Sequence, residues 1–140
     1  VDEMYTHDHI QIFLEQCDFV VVTTPVTDET RGLLGEAEFK AMKSTAIFIV
    51  TSRGGVADDD ALLKALNEGW IAGASLDAHT TEPLPEDSPF WTAPNTIVTP
   101  HSAAGGQHGV ERMRQQFLDN LVRYQRGEPL IGVVNKELGY

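Results

Sequence analysis

The sequence has a single cysteine, few basic residues and no long apolar run. Cys17 alone cannot form a disulfide within the chain, and such usage is typical of a reducing cytoplasm. Runs such as AIFIV at 46–50 fall far short of the roughly 18 residues that a membrane span needs. With 10 Lys and Arg against 21 Asp and Glu, the chain lacks the basic stripe of nucleic-acid binders. We therefore expect a soluble, cytoplasmic protein with no nucleic-acid or membrane partner, which binds small molecules or other copies of itself.

The length of the chain and its first residues bear on how many domains it forms and whether it carries a secretory signal. A chain of 140 residues with 41% hydrophobic content suits one compact core, or part of a larger one. The polar stretch after Val1 does not resemble a secretory signal, so we expect none.

Short apolar runs alternate with helical patterns. Helices are predicted in HIQIFLEQ (9–16), in a segment that starts at Thr27 or Asp28 and continues past Phe39 and Met42, and in VADDDALLKALNEG, where Gly69 ends the helix. Strands are predicted in CDFVVVTTP, STAIFIVTS, WIAGASLDA and NTIVTPH, the first two fully buried. This order predicts an α/β fold, a doubly wound parallel sheet covered on both faces.

Two segments depart from the alternation. Residues 80–95 hold four of the seven prolines and are predicted to form an ordered, irregular loop. From Gly105 or Gly106, apolar residues recur every three or four positions as far as Tyr124, which predicts one long amphipathic helix that ends at Gly127 and Pro129. Its apolar face and the tail LIGVVNKELGY need a surface on which to pack.

Polar residues follow three of the four predicted strands. Ligands bind beyond the carboxyl ends of parallel strands, where the loops converge. The residues at these positions are Thr51, Ser52 and Arg53 after the second strand, Asp77 after the third and His101 after the fourth, with Glu82 in the proline-rich loop.

Three of these side chains together suit hydride transfer to a 2-oxo acid. An arginine such as Arg53 can hold a carboxylate with two parallel hydrogen bonds. A histidine such as His101 can give or take the hydroxyl proton, and a carboxylate such as Glu82 on its far nitrogen would fix the tautomer. Each residue also has a simpler interpretation: Arg53 pairs with Asp58 or Asp59, Glu82 is a solvated acid, and His101 is a loop histidine with satisfied hydrogen bonds.

Several stretches resemble the D-isomer-specific 2-hydroxyacid dehydrogenases. They are TTPVTDETRGLL, the run from SRGGVADDD to NTIVTPH, and GEPLIGVVNKELGY, and the resemblance extends from about residue 10 to the end. It implies a Rossmann-type fold, NAD or NADP as cofactor, a small 2-oxo or 2-hydroxy acid as substrate and a homodimer when complete.

The resemblance also implies a role for individual positions. Arg53 would hold the substrate carboxylate, and Glu82 would pair with His101, the acid/base. Asp77 would hold the nicotinamide carboxamide. The other implied cofactor-binding positions are Thr24, Pro25, Val26, Thr51, Ser52, Ala103 and Ala104, and no metal site is implied.

The sequence departs from the family pattern in several places. Val50 stands where asparagine is usual, and His79 stands in DAH where Asp-Val-Phe is commoner. In VADDD, the acidic residue that opens the next helix is displaced by one position from its usual place in the family. The stretch HSAAGGQHG after the histidine is also unusually small and glycine-rich. No G-x-G-x-x-G turn for the pyrophosphate occurs in the 140 residues.

The missing turn leads us to expect the carboxyl-terminal part of an enzyme that is inactive alone. Residues 1–104 would belong to a dinucleotide-binding domain, and 105–140 would return to a substrate domain absent from this chain. The alternatives are a dinucleotide-binding sensor without turnover and, with less support, a metal protein, since the spacing of the five histidines matches no zinc pattern.

Overall fold

The computed structural model describes residues 1–138, which form two compact units. The first unit is Val1–His101, and the second begins at Ser102. Gly139 and Tyr140, the last residues of the predicted tail, lie outside the described residues.

The first unit contains a four-stranded parallel sheet with helices. The strands are β1 (Phe19–Val22), β2 (Ile47–Val50), β3 (Gly73–Leu76) and β4 (Thr96–Val98), hydrogen-bonded in that order. Their last residues pair in one row, Val22 with Val50, Val50 with Leu76, and Leu76 with Val98. The predicted Rossmann-type α/β fold is therefore confirmed, and all four carboxyl ends lie at one edge of the sheet.

Three helices belong to the first unit: α1 (Ile10–Leu14), which follows a 3-10 turn at His7–His9, α2 (Glu36–Ala41) and α3 (Asp59–Asn67). The clearest sequence prediction, α3, is confirmed. The Asp58 carboxylate caps it by accepting the Ala61 N–H at 2.8 Å, and Gly69 beyond its end has a φ of 71°.

The core lies on one face of the sheet. Val20 and Val22 are buried with Phe48 and the helix residue Phe39, and the two phenyl rings pack edge to face with centroids 5.2 Å apart. Phe19, by contrast, is 66% exposed, as are Val21 and Ile97 to similar degrees. The prediction of fully buried strands is therefore wrong for β1, because β-strand side chains alternate between faces and one face remains exposed in this chain.

The predicted helix start at Thr27 or Asp28 is wrong. The backbone N–H of Thr27 donates to Thr30 Oγ1 at 2.8 Å, and that hydroxyl donates to the Pro25 carbonyl at 2.7 Å. Threonine hydroxyls compete for backbone groups in this way, and here they build turns instead of a helix. The helix begins only at Glu36. The loop at 80–95 is irregular, as predicted, apart from a 3-10 turn at Pro89–Trp91.

The second unit contains α4 (Gly109–Gln125), which begins three or four residues later than predicted. None of its residues is buried, and apolar side chains such as Met113 and Phe117 are exposed. The tail folds back on this helix, since Asn120 and Ile131 exchange two hydrogen bonds of 2.8 and 2.9 Å. Among residues 1–138, no helix has the length and apolar content to cross a membrane.

Candidate active site

The three predicted catalytic side chains lie together beyond the carboxyl ends of the strands. Arg53 follows β2, His101 follows β4, and Glu82 lies in the loop between β3 and β4. Nη1 of Arg53 is 3.3 Å from Nε2 of His101. Nδ1 of the same ring is 2.9 Å from Oε2 of Glu82. The imidazole therefore lies between a guanidinium and a carboxylate.

This geometry defines the hydrogen on the His101 ring. Arginine only donates hydrogen bonds, so Nε2 accepts from Arg53 and Nδ1–H donates to Glu82. The hydrogen bond with His101, followed by that from the His79 backbone N–H, holds the pKa of Glu82 below its usual value of 4.5. Glu82 is thus an ionised acceptor at neutral pH, and the basic nitrogen of His101 points toward Arg53.

The alternative pairing of Arg53 with the helix acids does not form within residues 1–138. Asp58 caps α3, and Asp59 accepts a hydrogen bond of 3.0 Å from the Thr80 hydroxyl. Besides His101, the Arg53 guanidinium donates to the Ser52 carbonyl at 2.8 Å. The side chains of Glu82 and His101 are 38% and 32% exposed, and both are engaged in the hydrogen bond between them.

Two backbone features hold these groups in place. His101 has a φ of 54°, a left-handed conformation that is uncommon for residues other than glycine. Gly54, next to Arg53, lies so close to the His79–Thr80 peptide that a Cβ there would overlap its atoms. The arginine segment and the segment leading to Glu82 are therefore in direct backbone contact.

Asp77 and Ser52 are the predicted cofactor residues with the most distinctive surroundings. Asp77 is 6% exposed, and its Oδ1 accepts a hydrogen bond of 2.5 Å from the Thr99 hydroxyl. The Ser52 hydroxyl is buried and, among the described residues, has no hydrogen-bond partner. Buried polar groups normally have partners, so the Ser52 hydroxyl is an exception among the described residues.

The other predicted cofactor positions are less well defined. Thr51 donates from its backbone to the Val22 carbonyl at 3.4 Å, at the shared edge. Thr24, Pro25 and Val26 follow β1 at the same edge and are exposed or partly buried. Ala103 and Ala104 belong to the second unit, in the turns before α4.

Sequence reasoning missed His79. The sequence shows it only as a departure from the family pattern and as one of five histidines. Its backbone N–H donates to Oε1 of Glu82 at 2.9 Å, and its Nε2 is 3.1 Å from the Thr99 carbonyl oxygen. The available signal was its position, three residues after the end of β3 and three before Glu82. In the part of the chain described, no three His, Cys, Asp or Glu side chains form a group suited to a metal ion.

Known proteins are similar to this chain over most of its length. Residues 1–103 match the family model described as D-isomer specific 2-hydroxyacid dehydrogenase, NAD binding domain. A glyoxylate reductase of Korarchaeum cryptofilum is 43% identical over 129 residues, which cover 92% of this chain and 39% of that protein. The chain thus spans about two fifths of the length of the curated relatives it matches.

Solved structures show the same similarity. A D-isomer specific 2-hydroxyacid dehydrogenase from Xanthobacter autotrophicus Py2, in complex with NADPH and MES, aligns with a TM-score of 0.85 and 38% identity, covering 95% of this chain and 54% of that one. An NADPH-dependent glyoxylate/hydroxypyruvate reductase from Sinorhizobium meliloti, in complex with NADP and sulfate, aligns with a TM-score of 0.86 and 34% identity, covering 97% of this chain and 44% of that one.

Proposed function

Because the chain belongs to the D-isomer specific 2-hydroxyacid dehydrogenase family, we propose that it is the carboxyl-terminal part of an enzyme that transfers a hydride between a nicotinamide cofactor and a small 2-oxo acid. The observation that carries this proposal is the line of Arg53, His101 and Glu82 at the strand ends. A carboxylate-binding fork next to an acid/base matches the two functional groups of a 2-oxo acid. Two of the relatives are named for reduction of glyoxylate, the smallest such acid.

The residues at the strand ends fit the nicotinamide part of the cofactor. The buried Asp77 carboxylate can accept hydrogen bonds from a carboxamide, and the unpartnered Ser52 hydroxyl can bond a ribose or amide group. We assign cofactor contacts also to Thr51, Thr24, Pro25 and Val26 in the first unit. For Ala103 and Ala104, in the second unit, the same role rests on the family resemblance alone. The pyrophosphate turn has no counterpart in this sequence, so the rest of the complete protein must supply it.

Arg53 holds the substrate in this proposal. A substrate carboxylate gives the guanidinium two acceptors, a better match than the single nitrogen of His101. Arg53 anchored in this way places the substrate C2 oxygen near Nε2 of His101, which lies 3.3 Å from the same guanidinium.

His101 moves the proton. A bound nicotinamide would supply or accept the hydride at C2 of the substrate. In the reducing direction Nε2–H of His101 gives its proton to the C2 oxygen, and in the oxidising direction Nε2 removes it. Glu82 holds the ring through Nδ1 and stabilises its positive charge while Nε2 is protonated.

The remaining parts of the proposal concern the complete protein. We assign residues 1–104 to the dinucleotide-binding domain, and residues 105–140 to a segment that returns to a substrate domain outside this chain. The exposed apolar side chains of α4, among them Phe117 and Leu121, support a packing partner for this segment. We propose a cytoplasmic homodimer.

The test is oxidation of NADH and NADPH by the complete protein in the presence of glyoxylate and related 2-oxo acids. Turnover that requires both a reduced nicotinamide and an oxo acid supports the proposal. Tight binding of the dinucleotide without turnover for any oxo acid would favour the sensor instead.

A further inference from the structure

His79 contacts all three segments that carry the catalytic groups. Its backbone N–H donates to Oε1 of Glu82 at 2.9 Å. Its ring Nε2 lies 3.1 Å from the carbonyl oxygen of Thr99, two residues before His101. Its peptide with Thr80 packs against Gly54, next to Arg53. His101 joins the same three segments through its ring nitrogens, and His79 adds a second link between them.

The contact with Thr99 defines the His79 tautomer. A carbonyl oxygen only accepts, so Nε2 of His79 carries the hydrogen and donates it. The Thr99 hydroxyl is itself bonded to the buried Asp77, and the Thr99 backbone N–H donates to Leu76 at 3.0 Å. The ring is therefore attached to a segment that is fixed to the sheet.

These contacts couple the ring to Glu82. The chain from Ala78 to Glu82 leaves the sheet, and Glu82 is held by His101 and by the His79 N–H. With its ring bonded to Thr99, His79 keeps that N–H in a fixed position relative to the segment that carries His101. The partly buried imidazole also lines two cavities, one that includes Arg53 and one that includes Glu82 and His101.

We propose that His79 is a positioning residue of the active site, whose ring hydrogen bond to Thr99 holds Glu82 in register with His101. This inference rests on the proposed function above. His79 does not itself touch substrate; it acts through Glu82. The phenyl ring that is commoner at this position could fill the space, but it could not donate to Thr99.

The lowered pKa of Glu82 supports this role. The His79 N–H is its second cause, after the hydrogen bond with His101. Loosening His79 should therefore let the pKa of Glu82 rise toward 4.5, which moves the acid side of the pH profile upward.

The experiment compares His79→Phe and His79→Gln in the complete enzyme. Phenylalanine keeps the ring shape without a donor, whereas glutamine places an amide N–H near the position of Nε2. We expect His79→Phe to lower kcat about tenfold, since small displacements of catalytic groups are costly, with the KM for the cofactor changed less than about twofold. The acid side of the kcat/KM profile should move to higher pH, and His79→Gln should recover most of the loss. His7→Phe, the same change at an exposed histidine outside the site, should behave as the wild type.

The outcomes separate this inference from the proposed function. Wild-type enzyme without oxo-acid turnover would overturn both. If the wild type is active, two results would overturn the positioning role alone. One is a His79→Phe enzyme with unchanged kcat and pH profile. The other is a His79→Gln enzyme whose kcat is as low as that of His79→Phe. If His79→Phe does not fold, the tautomer of His79 in the wild type decides, measured by long-range proton–nitrogen NMR: hydrogen on Nε2 supports the bond to Thr99, and hydrogen on Nδ1 alone contradicts it.

Discussion

Nδ1 of His101 lies 2.9 Å from Oε2 and 3.0 Å from Oε1 of Glu82. The two residues come from different segments, one after the last strand and one in the proline-rich loop. A ring nitrogen that donates to a carboxylate leaves the opposite nitrogen as the only one able to exchange a proton with a ligand. In this protein that opposite nitrogen, Nε2, faces Arg53, so the proton would be exchanged on the Arg53 side of the ring.

Replacement of Glu82 by glutamine should change the pH dependence of the reaction more than the binding of substrate. The amide oxygen can still accept from Nδ1 of His101, but it no longer stabilises the positive charge on the ring. For reduction, the alkaline fall in kcat should therefore move to lower pH. Steady-state kinetics across pH measure this. Glu86→Gln, the same loss of charge at an exposed position in the same loop, is the control; identical profiles for both variants would contradict the pair.

Replacement of Arg53 by lysine should weaken substrate binding and turnover together. Lysine keeps the charge but not the planar fork that makes two parallel hydrogen bonds. The loss of one charge-assisted hydrogen bond predicts a fall in kcat/KM of about 10- to 100-fold, with a higher KM for the oxo acid. Arg31→Lys, at an exposed arginine, should leave both constants unchanged. A wild-type KM for the oxo acid in Arg53→Lys would contradict the assignment of Arg53 as the residue that binds the substrate carboxylate.

Replacement of Gly54 by alanine should destabilise the protein and displace Glu82. The added Cβ would overlap the His79–Thr80 peptide, which is backbone and cannot rotate away. Overpacking of this kind typically costs about 1–3 kcal/mol. Chemical denaturation should show the loss. Gly106→Ala, where a Cβ meets no atom within 4 Å, should show none. Equal stability of the two variants would mean that the close contact is absent.

Replacement of Asp59 by asparagine should stabilise the protein at neutral pH. Burial raises the pKa of Asp59 above its usual 3.8, although the Thr80 hydroxyl acts in the opposite direction. The folded state thus holds this proton more tightly than the unfolded state, so stability falls as pH rises through 3.8 toward the raised pKa.

The asparagine side chain of Asp59→Asn avoids the cost of burying an ionised carboxylate, and its amide oxygen can still accept a hydrogen bond from Thr80. Its melting temperature should exceed that of the wild type at pH 7, and the difference should disappear at about pH 3. Asp60→Asn removes the same charge from the first turn of α3 at an exposed position, and it should give no stabilisation. A destabilised Asp59→Asn protein at pH 7 would contradict the assigned cause.

The fold could be predicted where the local signals were strong. Apolar runs between helical patterns indicated all four strands, and Gly69 marked the carboxyl end of α3. The predicted helix start at Thr27 was wrong, because a threonine hydroxyl suits a helix cap and a turn equally well. Here the Thr27 backbone N–H donates to the Thr30 hydroxyl, which forms a turn. The exposed face of β1 could not be predicted, because a β-branched run does not show what covers it.

The site could be predicted as a set of residues but not as a geometry. The order of strands in a parallel sheet indicated that Arg53 and His101 lie at one edge. Which ring nitrogen faces Arg53, the left-handed backbone of His101 and the role of His79 depend on contacts between distant segments. No local pattern encodes such contacts, so only the folded chain shows them.

Oxo-acid-dependent oxidation of reduced nicotinamide by the complete protein, compared between wild type and His101→Asn, is the decisive test of His101 as the acid/base. Asparagine can keep a hydrogen bond to Glu82 but cannot act as an acid at neutral pH. We expect turnover by the wild type and a kcat lower by about 10²-fold or more in the variant, with dinucleotide binding unchanged. A variant that turns over at the wild-type rate would contradict the assignment of His101 as the acid/base.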